Sequence, residues 1–210
     1  MLSRLDKRNT QVVIYTSRPG VFMVIAGIDY SLTSPAICVF DDADGMADFQ
    51  FKNCTVYFLT AIQKHQKMYN GNIIGESAFT TDTDCQRYTS ISDWALEVCA
   101  GVDEVALEGY AMGAKGRVFN IAENTGILKW RLWQASTPIE VIPPSVIKKF
   151  ATGKGNANKE KMHEAFMEET GIDLIQVMTP SRRKVVNPVS DVVDAYYICK
   201  YLYYNNKEEI

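Results

Sequence analysis

Three short runs rich in β-branched residues, "VIAGID", "AICVFD" and "CTVYFLT", fall within residues 24–60 and constrain the fold more than any other feature. Each reads as a strand, and the turn formers in "SLTSP" and "DDADG" separate them. Connections of this kind return a strand beside its predecessor in the opposite sense, so a three-stranded meander is expected. Two more strand-like runs, "EVALEGY" and "IEVIPP", come only after segments with apolar residues at helical spacing, near residues 88–100 and 118–135. A short helix, a turn at "TGKGNANK", a helix over Lys159–Thr170, a loop to Pro188 and a closing helix complete the chain, while the polar, Gly/Asn/Thr-rich residues 65–85 read as a loop. The expectation is an α/β fold: a five-stranded mixed sheet, three antiparallel strands then two parallel ones, flanked by helices.

Residues 1–22 precede Met23, and "MVIAGIDYS" makes a natural opening for a domain that begins on a strand. The first segment is read as an extension without assigned function, and 23–210 as a single domain. The five cysteines, Cys38, Cys54, Cys85, Cys99 and Cys199, are scattered, odd in number and without metal-ligand spacing, which points to a reducing compartment. With two histidines, His65 and His163, the chain has little material for a histidine-rich zinc site or a histidine-based triad. No apolar run approaches the roughly 20 residues of a membrane span, and no secretory core opens the chain, so a soluble cytoplasmic protein with no membrane partner is expected.

Carboxylates are the abundant reactive group. In "NPVSDVVDAYYICKYL", Asp191 and Asp194 share one face of an otherwise apolar helix, where they repel unless something positive joins them. Asp29 closes the first strand and Glu108 the fourth. A carboxylate that ends an apolar strand sits at the sheet's rim, where unpaired burial is costly and a cation is the usual remedy. Hard divalent ions favour such oxygen ligands, and two of them can bracket a phosphodiester.

Net charge is −3, yet residues 108–187 hold twelve Lys or Arg against eight Asp or Glu. That local excess of cations suits phosphate binding.

In order and setting, "GIDYS", "ALEGY" and "SDVVDAYYI" resemble the three acidic motifs of the RuvC family of Holliday junction resolvases, within the RNase H-like nucleases. "PPSVIKKFATGKGNANKEKM" is similar to that family's basic segment, with Lys148 and Lys159 at its lysine positions. The resemblance covers about residues 24–204 and implies a metal-dependent endonuclease acting on Holliday junctions or related branched DNA. By implication Asp29, Glu108, Asp191 and Asp194 hold two Mg²⁺ or Mn²⁺ ions, and Lys159 assists catalysis by neutralising charge on the phosphate. The long spans at 65–85 and 171–188 look like a divergent phage-type member, which would act in its bacterial host's cytoplasm.

DNA contacts are expected from Lys148, Lys154 and Lys159, from Tyr110, Lys115 and Arg117 in "GYAMGAKGRVF", and from Arg182 and Arg183 in "TPSRRKVVNP". Lys161 is expected to face solvent. A homodimer is implied, with the helix over 118–135 as its interface through Gly126, Trp130 and Trp133; the competing reading buries both tryptophans in one core. Two rivals stand beside the nuclease. "GIDYSLTS" also resembles the phosphate loop of actin-like ATPases and sugar kinases, and a non-catalytic binder of branched DNA could keep the same fold.

Overall fold

β1 (Val24–Asp29) lies mid-sheet and is buried on both faces, which explains why its sequence is one apolar run up to the terminal carboxylate. A computed structural model describes residues 23–42, 48–110 and 118–208, so the extension 1–22 and the segments 43–47 and 111–117 lie outside the described residues. β2 (Ala36–Asp41) pairs antiparallel with β1, and β3 (Cys54–Thr60) antiparallel with β2, forming the expected meander. β6 (Glu104–Glu108) runs parallel to β1, and β7 (Ile139–Ile142) parallel to β6.

Among the described residues the sheet has seven strands rather than five: with β4 (Met68–Tyr69) and β5 (Ile73–Ser77) the order is β4-β5-β3-β2-β1-β6-β7. Its extra pair comes from the stretch read as a loop: β4 and β5 form a hairpin whose β5 adds parallel to β3. Asn70 and Gly71, at φ 49° and 79°, turn it. Two-residue β4 and the polar turn left too little apolar alternation for a strand to be read. The five expected strands remain contiguous inside the larger sheet.

Helices cover both faces. α1 (Asp84–Val98) starts on a capping box in which Thr83 and Gln86 each bond the other's backbone, and α2 (Val118–Gln134) packs beside it. Ala26, Ile28, Ile37, Val105 and Leu107 bury against Trp94, Ala95, Leu128 and Leu132 of these two helices. The alternate residues Ile25, Cys38, Phe40, Val56, Phe58 and Ala106 face the other side. There lie α3 (Pro144–Thr152), α4 (Lys159–Thr170), the short α5 (Leu174–Met178) within the stretch read as a loop, and α6 (Val189–Glu208).

α6 packs directly on the β1 backbone. A β-carbon on Gly27 would stand 2.1 Å from the Cys199 nitrogen and 2.7 Å from the Ala195 carbonyl oxygen, so only glycine admits the helix at this depth. The Cys199 thiol points at the Ile25 carbonyl, 3.7 Å away, which sets α6 running antiparallel to β1.

Candidate active site

The close approach at Gly27 also places the acidic residues. Alternation along β1 sends the Asp29 side chain to the same face as Gly27, the face that α6 covers. The β1–β6 register pairs Gly27 with Ala106 and Ile28 with Leu107, so the next step sets Asp29 level with Glu108 on the adjacent strand, about 4.8 Å away across the ladder. On α6, one turn back from Ala195 is Asp191. Four helical residues rise about 6 Å and two strand residues about 6.6 Å, so stepping from Gly27 to Asp29 matches stepping from Ala195 to Asp191. Asp194 lies on the same side of α6, one turn from Asp191.

The electrostatics agree with this convergence. Burial, followed by the charges of Asp194, Glu108 and Asp191, raises the Asp29 carboxyl well above the usual carboxylate range, and Lys159 partly opposes the rise. Glu108 is raised by burial, with Lys148 opposing. Asp191 is pushed up to about 6 by burial, against hydrogen bonds from Ser34 and Ser190 and the charge of Lys159. Asp194 is pushed up to about 7 by burial and by Glu108 and Asp191, against Lys159 and Lys148. Each carboxyl therefore feels two forces: a low-dielectric recess that disfavours its charge, and lysines that favour it.

Asp191 is held at both oxygens. Ser34, in the β1–β2 turn, donates to Oδ2 at 2.5 Å, and Ser190 donates to Oδ1 at 3.2 Å. Asn187 Nδ2 donates to the Ser34 hydroxyl at 2.8 Å, and the side-chain oxygen Asn187 Oδ1 accepts from Lys159 Nζ at 3.3 Å. Lys159 also reaches the Ser190 hydroxyl at 3.1 Å. Asn158 caps α4 and accepts from the Lys161 amide, which fixes where Lys159 begins the helix. No sequence pattern marks Ser34, Asn187 or Ser190 as site residues. Their only signal is adjacency, since "SLTSP" follows Asp29 and "NPVSD" leads into Asp191.

The remaining predicted contacts separate by position. Lys148, on α3, acts on Glu108 and Asp194. Lys154 is exposed in the turn after α3, and Arg182 and Arg183 are exposed in the loop that enters α6. Lys161 pairs with Glu164 on its own helix, facing solvent as expected. Tyr110 is 46% exposed beside the rim, with Lys129 Nζ 5.4 Å from its ring centroid. Lys115 and Arg117 lie outside the described residues. Trp130 and Trp133 are 57% and 72% exposed and Phe119 82%, so none of the three belongs to a monomer core.

Oxygen donors of this kind fit a hard divalent cation, whose charge would add to that of Lys159 and Lys148 in offsetting the repulsion among the carboxyls. Among the described residues, no three Asp, Glu, His or Cys side chains converge closely enough to grip an ion as they stand.

No protein-family model and no curated protein sequence matches the chain. Solved structures do. Thermus thermophilus RuvC aligns at TM-score 0.56 and 18% identity, covering 89% of this chain and 97% of that one. The same protein in complex with a Holliday junction substrate aligns at TM-score 0.57 and 17% identity, over 89% and 96% of the two chains. The chain thus has the RuvC-type, RNase H-like fold.

Proposed function

We propose that this chain is a metal-dependent endonuclease that cleaves branched DNA, four-way junctions foremost. The observation that carries the reading is the placement of Asp29 and Glu108 level on adjacent strands, on the face where α6 delivers Asp191 and Asp194. The solved RuvC complex, whose substrate is a Holliday junction, supports the choice of substrate class.

Asp29, Glu108, Asp191 and Asp194 would hold two Mg²⁺ or Mn²⁺ ions. Held there, such ions would supply Lewis-acid activation of water and charge stabilisation for the leaving oxygen of a phosphodiester, the chemistry that leaves 5′-phosphate and 3′-hydroxyl ends. The chain's own residues do the rest. Ser34 and Ser190 orient the Asp191 carboxylate, since a ligand fixed at both oxygens loses less freedom on binding. Lys159 and Lys148 set positive charge beside the carboxyls, where a phosphate's developing charge would fall. Lys154, Arg182 and Arg183 add salt-dependent phosphate affinity, and Lys115 and Arg117 extend the same role.

Two symmetric incisions call for two active sites in fixed relation, which a homodimer supplies. Along α2, Phe119, Gly126, Trp130 and Trp133 form an exposed stripe at helical spacing, and a β-carbon on Gly126 would meet nothing within 4 Å. We assign the dimer interface to this stripe.

The test is to incubate the purified protein with labelled four-way, Y-shaped and linear duplex DNA, with and without Mg²⁺ or Mn²⁺. Metal-dependent cutting of the branched substrates over the linear duplex supports the proposal. Tight junction binding with no cutting under any metal favours the non-catalytic binder, and ATP turnover without cutting favours the actin-like rival.

A further inference from the structure

We propose that Asn187 is a positioning residue that sets Lys159 and the Asp191 carboxylate as one unit, tying the group that faces the phosphate to a group that faces the metal. The inference rests on the nuclease reading and deepens it. Asn187 stands two residues before α6, and its two amide atoms serve different partners. Nδ2 donates to Ser34 Oγ at 2.8 Å, while Oδ1 accepts from Lys159 Nζ at 3.3 Å. The opposite amide orientation would set an NH₂ group against an ammonium, which carries hydrogens and no lone pair, so the partners themselves fix the orientation.

Counting hydrogens gives the network a direction. Ser34 has one hydroxyl hydrogen, and it goes to Asp191 Oδ2 at 2.5 Å. The hydrogen that Asn187 supplies to Ser34 Oγ keeps that hydroxyl turned toward the carboxylate. Ser190 also has one hydroxyl hydrogen, with two acceptors in reach: Asp191 Oδ1 at 3.2 Å and Asn187 Oδ1 at 3.0 Å. Lys159 Nζ decides between them. It donates to Asn187 Oδ1 and lies 3.1 Å from Ser190 Oγ, and a cation on that side turns the Ser190 hydrogen away from itself, toward the anionic carboxylate.

Two arms therefore leave Lys159 and meet on Asp191, one through Ser190 and one through Asn187 and Ser34. Both arms end on donors to the carboxylate, which holds it in one rotamer for a metal ion. Burial divides the roles: Ser34, Ser190 and Asp191 are 9%, 3% and 4% exposed, whereas Asn187 and Lys159 lie at the surface. The network runs inward from the cation that a DNA phosphate can reach to the carboxylate in the recess. A residue that served only to lead the chain into α6 would need neither contact, and that is the alternative to be separated.

The experiment measures Mn²⁺ binding to the DNA-free protein, from loss of the free-ion EPR signal, together with kcat and KM for four-way junction cleavage at saturating Mn²⁺. Asn187→Ala, which cuts the link to both partners, should weaken Mn²⁺ binding about tenfold. It should also lower kcat about 10- to 100-fold, with KM within about threefold of the native value. Asn187→Asp keeps an acceptor for Lys159 but offers Ser34 no hydrogen. This variant should recover most of the kcat yet bind Mn²⁺ as weakly as Asn187→Ala, although an added negative charge alone would tighten binding. Combined with Ser34→Ala, Asn187→Ala should leave Mn²⁺ affinity within about threefold of Ser34→Ala by itself, because that arm is already cut. Should Asn187→Ala melt below the native protein in EDTA, the Asn187→Asp comparison decides alone. Native or tighter Mn²⁺ binding in Asn187→Asp, or additive losses in the double variant, overturns the inference, while junction cleavage by the native protein leaves the nuclease reading standing. A native protein that neither binds Mn²⁺ nor cuts any branched DNA overturns both.

Discussion

The Ser34 hydroxyl donates to Asp191 Oδ2 at 2.5 Å, joining the turn after the first strand to the start of the last helix across 157 residues of sequence. This bond, with those of Ser190 and Asn187, holds one carboxylate of the acidic group in a defined rotamer. Removing it should cost more metal than fold. Ser34→Ala is expected to raise the Mg²⁺ concentration for half-maximal cleavage about 10- to 100-fold, with an unchanged melting profile in EDTA. Mg²⁺ titrations of cleavage by the native and variant proteins check it, and an unchanged half-saturation point would remove Ser34 from the site.

Asn substitution of Asp29, Asp191 or Asp194, or Gln at Glu108, should reduce cleavage by at least about 1,000-fold if the four act together on the metal ions. Junction affinity should change little, because the lysines and arginines hold the phosphates. Parallel gel-shift and cleavage assays separate the two effects. Full activity in D29N or D191N would refute the assignment.

The raised carboxyls make stability pH-dependent in a definite direction. Asp191 and Asp194 titrate at about 6 and 7 in the folded chain, against an ordinary 3.8. Between those values the folded state holds protons that the unfolded state has released, so their contribution is complete below about pH 4 and is lost as pH rises through 6 to 7. In EDTA, D194N should therefore melt above the native protein at pH 8, by roughly 2–4 °C for each kcal/mol relieved, and the gap should narrow at pH 5. Added Mg²⁺ should close it by stabilising the native protein. Equal melting temperatures for the two proteins at pH 8 would contradict the buried, repelling arrangement.

Gly27→Ala tests the docking of α6. A β-carbon 2.1 Å from the Cys199 nitrogen forces the helix off β1, and overpacking against backbone costs about 1–3 kcal/mol or more. The variant should melt several degrees lower and lose cleavage disproportionately, since the same shift carries Asp191 and Asp194 away from Asp29. Denaturant unfolding alongside cleavage rates measures both, and unaltered values would show that α6 sits farther from the sheet.

Trp130→Ala combined with Trp133→Ala should yield a monomer in sedimentation, with folding retained because both side chains are exposed. Junction cleavage should then fall to single, uncoupled nicks. A double variant that sediments like the native protein would place the interface elsewhere.

The β-branched runs, the carboxylates that end "VIAGID" and "EVALE", and the Asp pair of the last helix determined by local pattern alone that this would be a mixed sheet with helices and an acidic rim. Alternation and helical spacing are properties of neighbouring residues, so a sequence displays them openly. The β4–β5 hairpin has no such local pattern, because its strands are two and five residues long and turn on polar residues, and only pairing with β3 makes them strands. Whether Trp130 and Trp133 faced a core or solvent, and which hydroxyls would grip Asp191, depended on how helices settle across the sheet. Glycine at position 27 permitted the close approach. The depth of that approach, and with it the meeting of Asp29 with Asp191 and the seating of Ser34 beside it, is a property of packing between segments remote in the chain, which only the folded arrangement decides.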